Sequence, residues 1–146
     1  MPENTTAAGL ARLLADTYAV YLKTHGYHWN VRGPAFASLH TLFMTQYTEM
    51  WTAIDEIAER IRALGELAPQ GYAAFGNLTA IRDGDPSKSA EEMLRELVAD
   101  NEALIATAKA ARAHAVEEAD DVTAAVIDAR VQAHEKHAWM LRASLG

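Results

Sequence analysis

The apolar residues of this chain recur at steps of three and four for most of its length, the pattern of amphipathic α-helices. This spacing predicts a first helix over residues 6–31, a second over 35–64, a third long helix over 90–116 and a fourth from 120 or 121 to about 145. No segment carries a credible strand pattern. We therefore predict an all-α bundle of four long helices, formed by residues 1–146 as a single domain.

Capping and breaking residues support these boundaries. Ser89 and Glu92 have the spacing of a capping box, in which each side chain accepts a backbone N–H of the other residue. Gly65 and Pro69 end the second helix. Residues 70–88 are rich in glycine and are mainly connection, with room for a short helix between 72 and 81. A connection this long suits two helices that run parallel and need a crossover.

The second helix has the most complete apolar stripe. We expect this stripe to enter the core, with Trp51 filling space there, and Trp139 to do the same on the fourth helix. The apolar residues of the second helix at these steps are Phe36, Leu39, Phe43, Tyr47, Trp51, Ile54, Ile57, Ala58 and Ile61.

Four potential metal ligands stand in two pairs, His28 with His40 and Asp55 with Glu59. Gly33 and Pro34 separate the first two helices, so His28 ends one and His40 lies early in the next. Asp55 and Glu59, four residues apart, share a helical face. His40 and Asp55 are separated by roughly 22 Å along the helix, whereas metal–ligand bonds are about 2 Å. If all four residues serve one site, a second copy of the chain must supply half of it, most simply by antiparallel packing across a two-fold axis.

The other histidines give weaker evidence of a role in metal binding. His25 lies one turn before His28 and is interpreted as a packing residue or as support for the site rather than as a ligand. His134 and His137 have the same spacing, and His137 is interpreted as structural. The Glu-x-x-His pattern that di-iron carboxylate bundles repeat on two helices does not occur in the sequence, which disfavours a di-iron site inside one subunit.

The segments HGYHWNVRGPAFASLH (25–40) and IDEIAERI (54–61) resemble the signature of the Dps mini-ferritins, and HEKHAWMLRASL (134–145) resembles the last helix of that family. The resemblance implies a ferritin-like four-helix bundle with a short helix in the crossover, assembled as a hollow homododecamer. It also implies an inter-subunit ferroxidase centre whose metal ligands are His28, His40, Asp55 and Glu59. Trp29 would lie beside the metal, either as an oxidisable side chain or as simple packing.

The activity implied by the resemblance is oxidation of Fe²⁺, preferably by hydrogen peroxide, and storage of ferric oxide in the cavity. In mini-ferritins the turn before the last helix lines three-fold pores, which makes Asp120, Asp121 and Asp128 candidate pore residues; the alternative is a solvated turn.

One position departs from the family pattern. The carboxylate usual four residues after the second histidine is Met44 here, a soft, neutral ligand that suits iron poorly. A structural zinc site in the same place is therefore an alternative.

The net charge of the chain fits an iron store better than a nucleic-acid binder. Thirteen basic and twenty acidic residues give a net charge of −7, a field that attracts cations and repels phosphate backbones. No Lys or Arg precedes Arg12, and the end of the chain offers only Arg142, so direct DNA binding is not expected. There is no cysteine, no apolar run long enough to span a membrane and no signal-peptide pattern at the N-terminus. These features favour a cytoplasmic protein.

Overall fold

The computed structural model describes residues 4–146, which form α-helices and connecting loops without any strand. The all-α prediction is confirmed, including the short helix in the long crossover. No helix within this range is long and apolar enough to cross a membrane. The helices are α1 (Thr6–Asn30), α2 (Phe36–Ala63), α3 (Tyr72–Leu78), α4 (Ala90–Glu117) and α5 (Asp121–Ala143).

The helix starts have the predicted caps. Ser89 Oγ accepts the backbone N–H of Glu92 at 3.1 Å, and Glu92 Oε1 accepts that of Ser89 at 3.0 Å, so the capping box at the start of α4 is complete. Asp120 caps α5 by accepting the backbone N–H of Thr123 at 3.0 Å. Since each cap satisfies N–H groups that lack a partner in the first helical turn, these side chains fix where α4 and α5 begin.

The long helices pack as α1 against α2 and α4, and α4 against α5. Leucine, isoleucine and alanine side chains fill the space between them, with Leu10, Ile57, Leu104 and Ile127 fully buried. Gly9 permits a close approach of α1 to α4, because a Cβ there would lie only 2.9 Å from Ala111. Small residues at this crossing therefore set the distance between the two helices.

Two predicted core residues lie outside the core of the subunit. Trp51 and Trp139 are each 61% exposed, so the prediction that they fill space in the bundle is wrong for the single chain. Both sit at core-like spacing, but helical periodicity identifies an apolar stripe without specifying what covers it. Other members of the α2 stripe, such as Phe43 and Ile57, are fully buried as predicted.

Buried polar contacts fasten the crossover to the bundle. Asp16 on α1 accepts hydrogen bonds from Thr79 in the crossover and Thr107 on α4, at 2.7 and 2.6 Å. Lys23, about two turns further along α1, donates to the carbonyl of Arg82 at 3.1 Å and pairs with Glu96 and Asp100 on α4. The crossover is thus held at two places by side chains of α1.

The middle of the bundle contains a charged network between α2, α4 and α5. Arg130 donates to both carboxylate oxygens of Glu49, at 2.5 and 2.9 Å, and to Nε2 of His134 at 2.9 Å. His134 Nδ1–H donates to Asn101 Oδ1 at 2.7 Å, and His137 Nε2–H donates to Glu49 at 2.9 Å. The interpretation of His137 as a structural residue agrees with this contact.

The network determines the charge states of its members. Burial, and after it the charges of Arg130 and His137, hold the pKa of His134 well below the ordinary 6.5. Burial alone would raise the pKa of Glu49, but the hydrogen bonds from His137 and Arg130 outweigh it and hold that pKa well below its usual value. The folded subunit therefore keeps a neutral His134 beside an ionised Glu49.

We predict that His134 makes stability fall as the solution becomes acidic. Its folded-state pKa is depressed, so below pH 6.5 the unfolded chain binds a proton that the folded chain rejects. Each such proton lowers the free energy of unfolding by about 1.4 kcal/mol per pH unit. Chemical denaturation between pH 8 and 5, at fixed protein concentration, should give His134→Gln a slope shallower than wild type by about this amount.

His114→Gln, a matched substitution near the end of α4, should keep the wild-type slope. An identical pH dependence for wild type and His134→Gln would contradict the assignment of a neutral, buried imidazole.

Candidate metal centre

The turn between α1 and α2 brings His28 and His40 together. α1 ends at Asn30, and Val31 donates its N–H back to the carbonyl of Tyr27 at 2.9 Å. Gly33 then adopts a φ of +115°, a conformation that residues with a side chain rarely reach, and α2 begins at Phe36. The chain reverses so tightly that the last turn of α1 lies against the first turns of α2.

The two imidazole rings form a reciprocal pair. They stack with centroids 3.7 Å apart and planes 13° from parallel. Nδ1 of His28 lies 2.6 Å from the carbonyl oxygen of His40, and Nδ1 of His40 lies 2.6 Å from the carbonyl oxygen of His28. A carbonyl only accepts, so each Nδ1 carries the proton and donates it. In the neutral rings, each Nε2 therefore has a lone pair available for a metal ion, with the ring orientation fixed by the backbone.

The carboxylates lie elsewhere on α2. Asp55 and Glu59 are exposed, share one face of the helix and lie about four and five turns beyond His40. Across residues 4–146 no group of three or more His, Asp and Glu side chains comes close enough to hold a metal ion. The structure thus joins the two histidines and keeps them apart from Asp55 and Glu59, as the length of α2 requires.

An aromatic cluster surrounds the histidine pair. Trp29 is 63% exposed, and its ring lies 4.2 Å from that of His25. Tyr47 meets His28 edge-on at 5.3 Å and lies 4.4 Å from His25. Burial, followed by the charge of His28, lowers the pKa of His25.

Sequence reasoning missed Tyr47 as a neighbour of the site, because it was assigned to the apolar stripe of α2. The available signal was its position seven residues after His40. That spacing is two helical turns, so Tyr47 lies on the same face as His40.

Met44 lies one turn after His40 and is exposed.

Among the candidate pore residues, Asp120 caps α5 and pairs with Arg60 at 3.2 Å, while Asp128 pairs with Arg112 at 2.6 Å. Asp121 is exposed in the first turn of α5, where the helix dipole favours negative charge. A pore role for these three carboxylates remains a prediction.

Comparison with known proteins identifies the family of this chain. A model described as a ferritin-like domain matches residues 7–146, and the all-α fold is that of the ferritin-like class. The DNA protection during starvation protein of Brevibacillus brevis is 38% identical over 143 residues, covering 98% of this chain and 96% of the relative. The chain belongs to the Dps family within that class.

Solved structures agree with the assignment. The crystal structure of a Dps protein from Bacillus brevis matches with a TM-score of 0.93 and 38% identity, over 97% of this chain and 95% of that one. The Dps protein of Vibrio cholerae O1 matches with a TM-score of 0.91 and 31% identity, over 97% and 89% of the two chains. That protein is described as a member of a broad superfamily of ferritin-like diiron-carboxylate proteins.

We predict that Gly33 is required for the histidine pair to bind metal. Gly33→Ala forces a side chain into a positive φ and should cost about 1–3 kcal/mol of stability. It should also weaken binding of Co²⁺, followed by the visible absorbance of the bound ion, because the turn holds the rings in register. Gly26→Ala is the control: Gly26 lies inside α1 with open space around its Cβ position, and its substitution should leave both properties near wild type. Unchanged Co²⁺ affinity in a folded Gly33→Ala protein would contradict the prediction.

Proposed function

We propose that this protein oxidises Fe²⁺ at centres shared between subunits and stores the ferric product inside a hollow homododecamer. The observation that carries the proposal is the division of the site along α2. Two imidazoles with fixed, available Nε2 atoms lie at the start of this helix, and the exposed carboxylates of Asp55 and Glu59 lie roughly 22 and roughly 28 Å further along it. Membership of the Dps family supports iron as the cargo.

In this proposal Fe²⁺ is a substrate bound from both sides of a two-fold interface. His28 and His40 of one subunit offer nitrogen, and Asp55 and Glu59 of another offer hard carboxylate oxygens that favour the Fe³⁺ product. Hydrogen peroxide accepts two electrons, its O–O bond breaks, and two protons complete two water molecules. Two Fe²⁺ ions supply those electrons, so peroxide and Fe²⁺ are consumed together without a free hydroxyl radical.

Charge supports the delivery of iron. The net charge of −7 per chain, repeated around a cage, attracts Fe²⁺ to the surface. Asp121 is exposed, with Asp120 and Asp128 nearby on the same turn and helix, and these three are our proposed pore residues. The proposed setting is the cytoplasm.

A cage that holds Zn²⁺ structurally in the same site is the second candidate. The specific observation in its favour is Met44, an exposed thioether one turn after His40 where the family usually has a carboxylate. Imidazole with carboxylate suits Zn²⁺ as well as iron, and a site without the extra carboxylate holds a second iron poorly.

A mixing experiment tests the shared site. One variant carries His28→Ala and His40→Ala, and the other carries Asp55→Ala and Glu59→Ala. Each alone should lose fast peroxide-dependent oxidation of Fe²⁺, measured by stopped-flow absorbance. Co-refolding them in equal amounts should restore roughly a quarter of the wild-type sites, since half of the two-fold pairs are then mixed and each mixed pair keeps one intact site of two.

The control refolds each variant with itself, and wild type in parallel. Mixed cages no more active than their parents would contradict a site built from two subunits. Wild-type cages that bind metal through these four residues but leave Fe²⁺ unoxidised would favour the zinc candidate.

The relative from Brevibacillus brevis is named for protection of DNA, and we propose that this chain gives such protection by removing peroxide and Fe²⁺ rather than by coating DNA. The acidic surface repels the phosphate backbone, most strongly at low salt. A gel-shift assay at low ionic strength should therefore leave duplex DNA free at micromolar cage concentrations. A DNA-cleavage assay with Fe²⁺ and peroxide should still show protection. Retarded DNA at low salt would contradict the charge argument.

A further inference from the structure

Met44 is an exposed thioether at the histidine end of α2. The residue lies one turn after His40, and it is 42% exposed in the subunit. Met50 and Met93 are only 1% and 0% exposed, and Met140 is partly buried. Among the methionines that the structure describes, Met44 is therefore the one most open to a reagent in solution.

The chain supplies no carboxylate near Met44. Between residues 33 and 48 the sequence has neither Asp nor Glu, and the exposed polar neighbours on the same side of α2 are Thr41, Thr45 and Thr48. Within residues 4–146 no carboxylate joins the two histidines to form a group that could hold a metal ion. The histidine end of α2 thus presents imidazole nitrogens and a thioether, without a hard, charged oxygen from its own chain.

Hydrogen peroxide changes the donor chemistry of a thioether. A sulfur lone pair attacks one oxygen of peroxide, an S–O bond forms as the O–O bond breaks, and after proton transfer the other oxygen leaves as water. The sulfur loses two electrons and the peroxide gains them, so this step needs neither a metal ion nor a further reductant. The product, methionine sulfoxide, has a polar S–O bond whose oxygen carries a partial negative charge.

The oxygen of a sulfoxide lies where a glutamate has its carboxylate oxygens. In glutamate these oxygens are bonded to the third side-chain atom, Cδ, and in methionine sulfoxide the oxygen is bonded to the third side-chain atom, Sδ. Oxidation of Met44 therefore places an oxygen at the same number of bonds from the backbone as glutamate would. This oxygen is a harder donor than the thioether and suits iron better.

Resting on the proposed function, we propose that Met44 is a peroxide-dependent modification site whose sulfoxide oxygen becomes an additional ligand for iron bound beside His28 and His40. The proposed function itself brings peroxide to this end of α2. The unmodified protein holds the second of two Fe²⁺ ions weakly, and continued exposure to peroxide converts the protein to a form that holds this ion more tightly. Oxidative stress would thus improve the site that consumes the oxidant.

The fold tolerates an added oxygen at position 44. The side chain is unbranched, with three rotatable bonds, so its sulfur can turn towards a bound ion or towards water. Met44 belongs to neither hydrophobic cluster of the core, whereas Met50 and Met93 do. Oxidation of those two residues would bury a polar atom without a partner and destabilise the bundle, but oxidation of Met44 leaves the core unchanged.

The modification itself is tested first. The intact cage, free of metal, is incubated with hydrogen peroxide, and its peptides are analysed by mass spectrometry for the mass of one added oxygen atom. Met44 should be oxidised before Met140, and well before Met50 and Met93. Oxidation of Met44 no faster than that of the two fully buried methionines would overturn the proposal.

Binding of Co²⁺ tests the ligand role, because the visible absorbance of the bound ion reports its affinity and number per site without any turnover. Wild-type cages are compared before and after peroxide treatment, once residual peroxide has been removed. The second Co²⁺ ion should bind on the order of tenfold more tightly after treatment. Unchanged Co²⁺ binding in a cage whose Met44 is fully oxidised would overturn the ligand role.

Substitutions at position 44 assign the effect to this side chain. Met44→Leu keeps an apolar side chain of similar size but has no sulfur, so peroxide treatment should leave its Co²⁺ binding unchanged. Met44→Glu supplies the oxygens permanently and should bind the second Co²⁺ ion tightly before any treatment. Met140→Leu is the matched control, because it removes a partly buried methionine of α5 and leaves Met44 in place; it should respond to peroxide as wild type does.

A gain in Met44→Leu equal to that of wild type would trace the effect to another oxidised residue and overturn the role of Met44. Circular dichroism and cage size, unchanged by peroxide and by the substitutions, exclude loss of fold as the reason for any difference.

Oxidation of Fe²⁺ separates this inference from the proposed function. Normal oxidation of Fe²⁺ by peroxide, with equal Co²⁺ binding before and after treatment, would refute the role of Met44 and leave the ferroxidase intact. Failure of both wild type and Met44→Glu to oxidise Fe²⁺ would refute the proposed function. The Co²⁺ comparison would in that case still decide whether the sulfoxide is a ligand.

Discussion

The length of α2 is the constraint on which the rest of the molecule depends. A helix that rises about 1.5 Å per residue places its carboxylates far from the histidines at its start. His28 and His40 are nevertheless fixed in place by mutual hydrogen bonds to each other's backbone carbonyl. The chain therefore holds the histidine pair in a fixed geometry and presents Asp55 and Glu59 on an exposed face. Under the proposed function, these four side chains meet only in the assembly, because one subunit does not bring them together.

The charged network inside the bundle disfavours binding of a metal ion. Arg130 is buried among α2, α4 and α5, with its guanidinium paired to Glu49 and hydrogen-bonded to His134. A fixed positive charge repels Fe²⁺, and the lone pair of His134 Nε2 is already used as an acceptor. Side chains of the types that ligate cations are thus hydrogen-bonded to one another. The same network explains why stability depends on a neutral imidazole: protonation of His134 would place a second buried positive charge beside Arg130, and Glu49 is already paired with Arg130 and His137.

The sequence predicts the helices well because their signals are local. Capping by Ser89 and Asp120, and the turn at Gly33, depend on residues within a few positions of one another. The exposure of Trp51 and Trp139 could not be predicted in the same way. Their spacing indicates an apolar face, but only the packing of the other helices decides which apolar face enters the core of the subunit.

The candidate site was predictable only in part for a similar reason. The spacing of His40 and Asp55 excludes a site within one chain by arithmetic alone. The stacking of the imidazoles and their reciprocal bonds depend on how two helix ends meet, which no sequence spacing expresses. Tyr47 shows most clearly which contacts the sequence alone does not predict. Its place in the apolar stripe of α2 is visible in the sequence, whereas its contact with His28 on α1 requires the folded arrangement of both helices.

The apolar face left exposed by the subunit and the incomplete site lie on the same two helices. Trp29, Phe36, Met44 and Trp51 are all exposed on α1 and α2. Such a surface is unfavourable in water, and covering it with a second copy of the chain would also bring in the carboxylates that the histidines lack. Assembly and reactivity would then share one driving force. Under the proposed function, Fe²⁺ would then be oxidised only where two subunits have come together, because the free subunit presents the histidines without the carboxylates.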